Sequence, residues 1–136
     1  MPPTPRASPP DDRSDITVVI VDDHEVVALG LKALLHDDDR ISVVGTATSS
    51  RDAIAMVSRL DPDVVLMDYR LPDGTGAETA KQLRGSDSPP NIVMITAVAD
   101  RRVLSQALDA GCCGFLSKNS DRADLVDAIT AAASGE

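Results

Sequence analysis

The sequence predicts an α/β protein built on a doubly wound parallel sheet, with helices on both faces. Short runs of Val, Ile, Leu and Met alternate along the chain with longer stretches in which apolar residues recur at helical spacing. The short runs are continuously apolar, which is typical of strands buried on both faces of a parallel sheet. Strands that alternate with helices of this length imply right-handed crossovers, so we expect five βα units.

The predicted strands are short, and most of them are followed by a polar residue. We place them at Ile16–Val21, Ile41–Ala47, Val64–Met67, Ile92–Ile95 and Gly114–Ser117. Residues 69–76 (YRLPDGTG) contain one proline and two glycines, so we expect a loop there.

The helical stretches have recognisable starts and ends. The first has apolar residues at helical spacing, and Ser49 or Ser50 can cap the second. A short third helix is expected at about 77–84. Gly111 stands at the C-terminal cap of the fourth, and Asp121 opens the fifth. The apolar positions that define the first, second and fourth helices are Val27, Leu31 and Leu34; Ala53, Ile54, Val57 and Leu60; and Val103, Leu104, Ala107 and Leu108.

The composition excludes several classes of protein. The 136 residues contain 13 Lys plus Arg against 22 Asp plus Glu, a net charge of −9 that argues against a nucleic-acid-binding surface. No stretch approaches the roughly 20 apolar residues of a membrane span, and the start lacks the apolar core of a secretory signal. The adjacent Cys112 and Cys113 match neither a disulfide framework nor a metal-ligand spacing. We therefore expect a cytoplasmic protein with reduced thiols.

Residues 1–15 differ from the rest of the chain. They hold five of the nine prolines and no large apolar residue after Met1, so they cannot bury enough surface to offset the entropy of ordering. We predict a disordered Pro-rich tail at 1–15 and a single domain at 16–136. A Pro-rich docking peptide is the less favoured reading, because the prolines do not repeat regularly.

Polar residues with useful chemistry follow four of the five strands. Asp22 and Asp23 follow the first, Asp68 the third, Thr96 the fourth and Lys118 the fifth. The carboxyl ends of parallel strands share one edge, and ligands bind there where the strand order reverses; an order of 2-1-3-4-5 puts the reversal between the first and third strands. Carboxylates crowded at this point need a cation, and Mg²⁺ suits such oxygen ligands. Singly, each residue could be a helix cap or a surface group, but together they indicate a site.

These motifs resemble the receiver domain of bacterial two-component response regulators over about residues 16–134. The matching segments are VDDHE at 21–25, VVLMDYRLPDGTG at 64–76, ITA at 95–97 and GFLSK at 114–118. VDDHEVV, the VVG of the second strand and a lysine not followed by proline further resemble the NarL/FixJ subfamily. The resemblance implies a flavodoxin-like (βα)5 fold with strand order 2-1-3-4-5.

The resemblance also implies the roles of the site residues. Asp68 would accept the phosphoryl group, Lys118 would pair with the phosphoryl oxygens, and Thr96 would donate a hydrogen bond to one of them. Mg²⁺ would be the cofactor, held by oxygen atoms of Asp22, Asp23, Asp68 and the backbone carbonyl of Arg70. Phosphoryl transfer depends on positioning and charge neutralisation, which a metal ion and an ammonium group supply.

A switch is expected to follow phosphorylation. Thr96 would move toward a phosphoryl oxygen, and the ring of Phe115, which stands where many receivers have Tyr, would turn into the vacated space. The altered face would comprise the fourth helix, fifth strand and fifth helix, roughly residues 99–134. Arg70 and Val98, two residues after Asp68 and Thr96, are expected to influence hydrolysis.

The expected partners follow from the same resemblance. A sensor histidine kinase would donate the phosphoryl group, a second copy could bind after phosphorylation, and DNA would be bound only through a C-terminal helix-turn-helix effector not in this chain. Because the chain stops where the fifth helix should end, we expect either a fragment of such a regulator or a stand-alone single-domain regulator.

Two other classes are less well supported. A Mg²⁺-dependent phosphatase or transferase with an aspartate nucleophile usually has Asp-x-Asp after its first strand and a cap module, but here the first strand gives Asp-Asp-His and no residues remain for a cap. A nucleotide- or flavin-binding module needs a glycine-rich first turn, but this turn is DDHEVV. We therefore expect a phospho-accepting signalling domain rather than an enzyme.

Overall fold

Strands and helices alternate through residues 15–97 and 100–135, the parts of the chain that the computed structural model describes. The strands of the main sheet are β1 (Ile16–Val21), β2 (Ile41–Ala47), β3 (Val64–Asp68), β6 (Asn91–Thr96) and β7 (Gly114–Ser117). The helices are α1 (Glu25–His36), α2 (Ser50–Leu60), α3 (Gly76–Arg84), α4 (Arg101–Asp109) and α5 (Arg122–Ala133). The predicted tail, except for Asp15, and the predicted role of Val98 lie outside the described residues.

The main sheet is entirely parallel, in the order β2-β1-β3-β6-β7. Counting these five strands alone, the order is 2-1-3-4-5, which confirms the predicted flavodoxin-like fold. Val65 at the centre of the sheet pairs with Val19 on one side and Ile92 on the other. The order reverses between β1 and β3, so a crevice is expected at their carboxyl ends.

Both faces of the sheet are covered by helices. Side chains that alternate along each strand contribute to two separate clusters, as the two-residue period of a strand requires. On one face, Val19 and Met94 pack with Ala53 of α2 and Ala80 of α3. The cluster on the other face contains Val18, Ile20, Leu66, Val93, Leu35 of α1 and Ile129 of α5. The continuously apolar strands are therefore buried on both faces, as predicted.

Side-chain caps fix where most of the helices begin. The Ser49 hydroxyl accepts a hydrogen bond from the Asp52 N–H at 3.1 Å, and Asp121 accepts one from the Asp124 N–H at 2.9 Å. Thr75 and Glu78 form a reciprocal capping box at the start of α3. After α4, Gly111 has a φ of +89°, which is the backbone conformation expected just beyond a helix end.

Two details differ from the sequence-based expectations. Residues 69–76 are not simply a loop, because Arg70–Leu71 (β4) and Gly74–Thr75 (β5) pair as a short antiparallel hairpin before α3. The apolar spacing also misassigned some helix faces. Leu35 rather than Leu34 is fully buried on α1, and the outer side of α4 exposes Leu104 and Leu108.

Candidate functional site

The carboxyl ends of β1, β3, β6 and β7 bring the predicted site residues to one edge of the sheet. Asp22 directly follows β1, Asp68 is the last residue of β3, and both side chains are buried, with 1% and 5% exposure. Thr96 ends β6 and is also buried, while Lys118 directly follows β7. The Lys118 N–H donates to the Thr96 carbonyl at 2.9 Å, which holds the last two strand ends together.

Lys118 joins the two buried carboxylates. Its Nζ lies 3.1 Å from Oδ2 of Asp22 and 3.1 Å from Oδ2 of Asp68. Although burial lowers the pKa of the Lys118 ammonium, its hydrogen bonds to these carboxylates outweigh that effect and raise the pKa above its usual value. Lys118 therefore remains protonated and supplies a fixed positive charge at the site.

The ionised form of Asp68 is less favoured than that of an ordinary aspartate. Burial raises the pKa of its carboxyl, and the negative charge of Asp22 raises it further. The Lys118 ammonium and the Arg70 N–H, which donates to Asp68 Oδ1 at 3.3 Å, act in the opposite direction. A cation brought close to Asp68 would therefore favour the ionised, nucleophilic carboxylate.

Asp23 and His24 form the outer side of the site. The His24 Nδ1 lies 3.0 Å from Asp23 Oδ1 and 3.3 Å from Asp22 Oδ1. The His24 backbone N–H also donates to Asp22 Oδ1 at 2.9 Å. This proximity was not predicted, because a histidine at a helix start is more often an orienting or solvated side chain.

The donor atoms fit a divalent cation. One potential ligand atom from each of Asp22, Asp23, His24 and Asp68 lies within 4.8 Å of the others. Three carboxylates (−3) and one ammonium (+1) give a net charge of −2 with His24 neutral, which one divalent ion would balance. Carboxylate oxygens are ligands that Mg²⁺ prefers, so the chemistry of the set fits the predicted cofactor.

The remaining predicted residues lie around this site. Arg70 is exposed in β4, and its backbone is fixed by pairing with Thr75. Phe115 is half-buried in β7, where it packs against the cluster on the α2–α3–α4 side. Cys112 is buried and Cys113 exposed, both as free thiols, and burial raises the pKa of Cys112 to about 12.

Two contacts near Asp68 were not anticipated from the sequence. The Tyr69 hydroxyl donates a hydrogen bond to Oε1 of Gln106, which connects the residue after Asp68 to α4. The Asp73 carboxylate accepts from the N–H groups of Ser50 and Arg51 at 2.8 and 3.0 Å, and these bonds lower its pKa. Asp73 thereby connects the hairpin to α2. The proline and glycines marked this segment only as a turn.

None of the described helices is long and apolar enough to cross a lipid bilayer.

Comparison with known proteins adds an independent line of evidence. The sequence model of the response regulator receiver domain matches residues 18–130. The transcriptional regulatory protein LiaR of Bacillus subtilis is 36% identical over 121 residues, which cover 89% of this chain and 57% of LiaR. The response regulator protein VraR of Staphylococcus aureus is 34% identical over 121 residues, covering 89% of this chain and 58% of VraR.

A solved structure agrees with these matches. The signal receiver domain of the response regulator NarL from Mycobacterium tuberculosis has a TM-score of 0.86 and 34% identity, over 90% of this chain and 98% of that one. The chain spans less than three fifths of the length of the curated relatives.

Proposed function

Because the chain belongs to the family of response regulator receiver domains, with LiaR, VraR and a NarL regulator among its relatives, we propose that Asp68 accepts a phosphoryl group from the phosphohistidine of a sensor kinase. The observation that carries this proposal is the position of Asp68, buried at the sheet edge between an acidic pair and the Lys118 ammonium.

The proposed reaction is a phosphoryl transfer between two side chains. An oxygen of Asp68 forms a bond to phosphorus while the bond between phosphorus and the kinase imidazole nitrogen breaks, and the released imidazole takes up a proton. Lys118 pairs with the negative phosphoryl oxygens, and the Thr96 hydroxyl donates a hydrogen bond to one of them. Asp22, Asp23, Asp68 and the carbonyl of Arg70 would hold Mg²⁺, which would neutralise the charge of the phosphoryl group. Arg70 and Val98 would tune the later hydrolysis.

We further propose that phosphorylation alters the face formed by α4, β7 and α5. Thr96 at the end of β6 and Phe115 in β7 lie on neighbouring strands, with Met94 paired to Phe115 and Thr96 to Ser117. Leu104 and Leu108 expose 39% and 65% of their surface on α4. These exposed apolar side chains support a surface that gains or loses a partner, such as a second copy of the domain.

The output we propose is control of transcription through a DNA-binding effector in a longer protein. LiaR is named a transcriptional regulatory protein, and the chain covers little more than half of it. A stand-alone regulator is the alternative. In either case we propose that the domain works in the cytoplasm, as a signalling domain that at most catalyses its own phosphorylation and dephosphorylation.

Labelling with an acyl phosphate tests the proposal directly. Incubated with acetyl phosphate and Mg²⁺, the wild-type chain should acquire one phosphoryl group that hydroxylamine removes, as an acyl phosphate requires. Asp68→Asn should acquire none while keeping the wild-type circular dichroism spectrum, and Asp87→Asn, at an exposed aspartate between α3 and β6, should label normally. Stable labelling of Asp68→Asn would contradict the assignment, and multiple turnover of an unrelated phosphoester would instead support the aspartate-nucleophile phosphatase.

A further inference from the structure

Tyr69 connects the carboxyl end of β3 to α4 through its side chain. Its hydroxyl donates a hydrogen bond to Oε1 of Gln106, and its ring packs against the buried cluster on the α2–α3–α4 side. Both residues are half-buried, so water competes with this bond only in part. The bond therefore joins the residue that follows Asp68 to a helix of the face that we propose to change.

The backbone of Tyr69 is held on two sides. Its N–H donates to the Ile95 carbonyl at 3.0 Å, and its carbonyl accepts from the Gly76 N–H at 2.6 Å. Ile95 belongs to β6, which lies between β3 and β7 inside the sheet. The Tyr69 end of the side-chain bond therefore cannot move without disturbing the sheet or the start of α3.

The helix at the other end of the bond is held less firmly. Of the nine residues of α4, only Val103 and Ala107 are buried. A cavity of about 340 Å³ also separates part of α4 from α3. Residues that line it include Tyr69, Thr75, Glu78, Lys81, Gln106 and Asp109. Because elements with few buried apolar contacts open most readily, α4 moves at a lower cost than the sheet does.

We infer that Tyr69 is a positioning residue that restrains α4 in its unphosphorylated position, through the hydrogen bond from its hydroxyl to Gln106. The inference rests on the proposed function, in which α4 belongs to the altered face. It adds a restraint that is separate from Thr96 and Phe115. Because one end of the bond is fixed, a displacement of α4 by about 1 Å stretches it past the roughly 3.5 Å at which a hydrogen bond is lost. The switch therefore requires this bond to break.

The restraint sets how much of the unphosphorylated chain adopts the active conformation. A net hydrogen bond that is present in only one of two states changes their ratio by about 2–12-fold. While the active conformation is the minor one, the affinity for a phosphoryl group is proportional to its population. Removal of the bond should therefore raise that population and that affinity by the same factor.

Hydrogen exchange in three variants of the full chain tests the restraint without a phosphodonor. Tyr69→Phe removes the donor hydroxyl alone, and Gln106→Met replaces the acceptor with an apolar side chain of similar length. Ser105→Ala is the matched control, because it removes a hydroxyl from the neighbouring, exposed residue of the same helix. Amide hydrogens of α4 should exchange several-fold faster in Tyr69→Phe and Gln106→Met than in wild type, and at the wild-type rate in Ser105→Ala.

A second measurement gives a readout that loss of structure would not raise. The probe is beryllofluoride, a non-covalent analogue of a phosphoryl group on an aspartate, titrated in the presence of Mg²⁺. Tyr69→Phe and Gln106→Met should each bind it about 2–12-fold more tightly than wild type. The double variant should bind it no more tightly than either single variant, because both changes remove the same bond. Ser105→Ala should match wild type.

Two results would overturn the inference. One is a folded Tyr69→Phe whose α4 exchange and analogue affinity both equal those of wild type. The other is weaker binding of beryllofluoride by that variant, which would mean that the bond belongs to the active conformation. If Tyr69→Phe does not fold, Gln106→Met decides the question by the same two measurements.

The proposed function can fail separately. If acetyl phosphate does not label Asp68 in wild type, the proposed function is wrong, and the exchange rates of α4 in the unmodified variants still decide whether Tyr69 restrains the helix. If Asp68 is labelled but α4 exchanges equally fast in wild type, Tyr69→Phe and Gln106→Met, only the restraint is wrong.

Discussion

Lys118 balances the buried negative charge of the site at the scale of a single residue. Its Nζ contacts Asp22 and Asp68 at 3.1 Å each, and only 18% of its side chain is exposed. A strand-end lysine means little in a sequence by itself. Its position in the site became predictable only because the parallel topology brings it to the edge of the sheet at which Asp22 and Asp68 lie.

Removing the Lys118 charge should make stability depend strongly on pH. The folded-state pKa of Asp68 is already raised by burial and by Asp22, and Lys118→Gln removes a group that lowers it. Ionising such a carboxyl disfavours the folded state, so the loss of stability relative to wild type should be smallest below about pH 4 and should grow as pH rises toward 7. At pH 7 we expect Lys118→Gln to lose about 3 kcal/mol of unfolding free energy in urea titrations.

The double variant is the control for this pH dependence. Adding Asp68→Asn to Lys118→Gln should restore most of the lost stability and reduce the slope between pH 4 and 7. If the single variant instead has the wild-type slope, the charge balance described for the site is wrong.

At the scale of elements, the close approach of α3 to β3 positions the residue that carries the proposed chemistry. The first residue of α3 is Gly76, whose N–H donates to the Tyr69 carbonyl at 2.6 Å. A Cβ at position 76 would lie 2.2 Å from the Asp68 carbonyl oxygen. Since the position of a Cβ is fixed by its own backbone and the Asp68 oxygen is a backbone atom, no side-chain rotation can relieve that overlap.

Glycine-to-alanine substitutions at two helical positions should therefore have opposite effects. Gly76→Ala should lower the free energy of unfolding by about 2–3 kcal/mol because backbone must move. Gly30→Ala, within α1 and with nothing within 4 Å of the added Cβ, should raise it by about 0.5–1 kcal/mol through helix propensity. Chemical denaturation measures both, and a neutral Gly76→Ala would contradict the packing of α3 on β3.

The bounds of the main strands could be predicted from the sequence. The two-residue strands and the buried faces of some helices could not. Apolar runs identified the main strands to within a residue, as Ile16–Val21 and Val64–Asp68 show. The two-residue strands β4 and β5 have no period to detect. Helical spacing also could not decide between Leu34 and Leu35, because neighbouring residues on a helix lie only about 100° apart.

At the scale of the whole molecule, the site is assembled by topology. Asp22 and Lys118 are far apart in sequence, and only the strand order makes them neighbours. The sequence predicted this convergence because its polar residues stand at corresponding strand ends. The sequence did not predict the hydrogen bond between Tyr69 and Gln106, because this bond depends on how α4 packs rather than on any local pattern.

Mg²⁺ should stabilise the folded domain through this assembled site. An ion that binds only the native state at a hundred times its Kd contributes about 2.7 kcal/mol, or roughly 10 °C of melting temperature for a domain of this size. Asp23→Ala should lose most of this rise, and Asp87→Ala should retain it. Equal shifts in both variants, measured by thermal denaturation with and without Mg²⁺, would locate the binding elsewhere.

Tyr69 gives the protein an optical property that follows from its position. It is the single tyrosine of a chain without tryptophan, so light at wavelengths that phenylalanine does not absorb excites one ring alone. Tyr69 is the residue after Asp68, and its hydroxyl donates a hydrogen bond to Gln106 on α4. The native, unlabelled chain therefore carries one intrinsic fluorophore between the proposed phosphoryl acceptor and the helix proposed to respond to it.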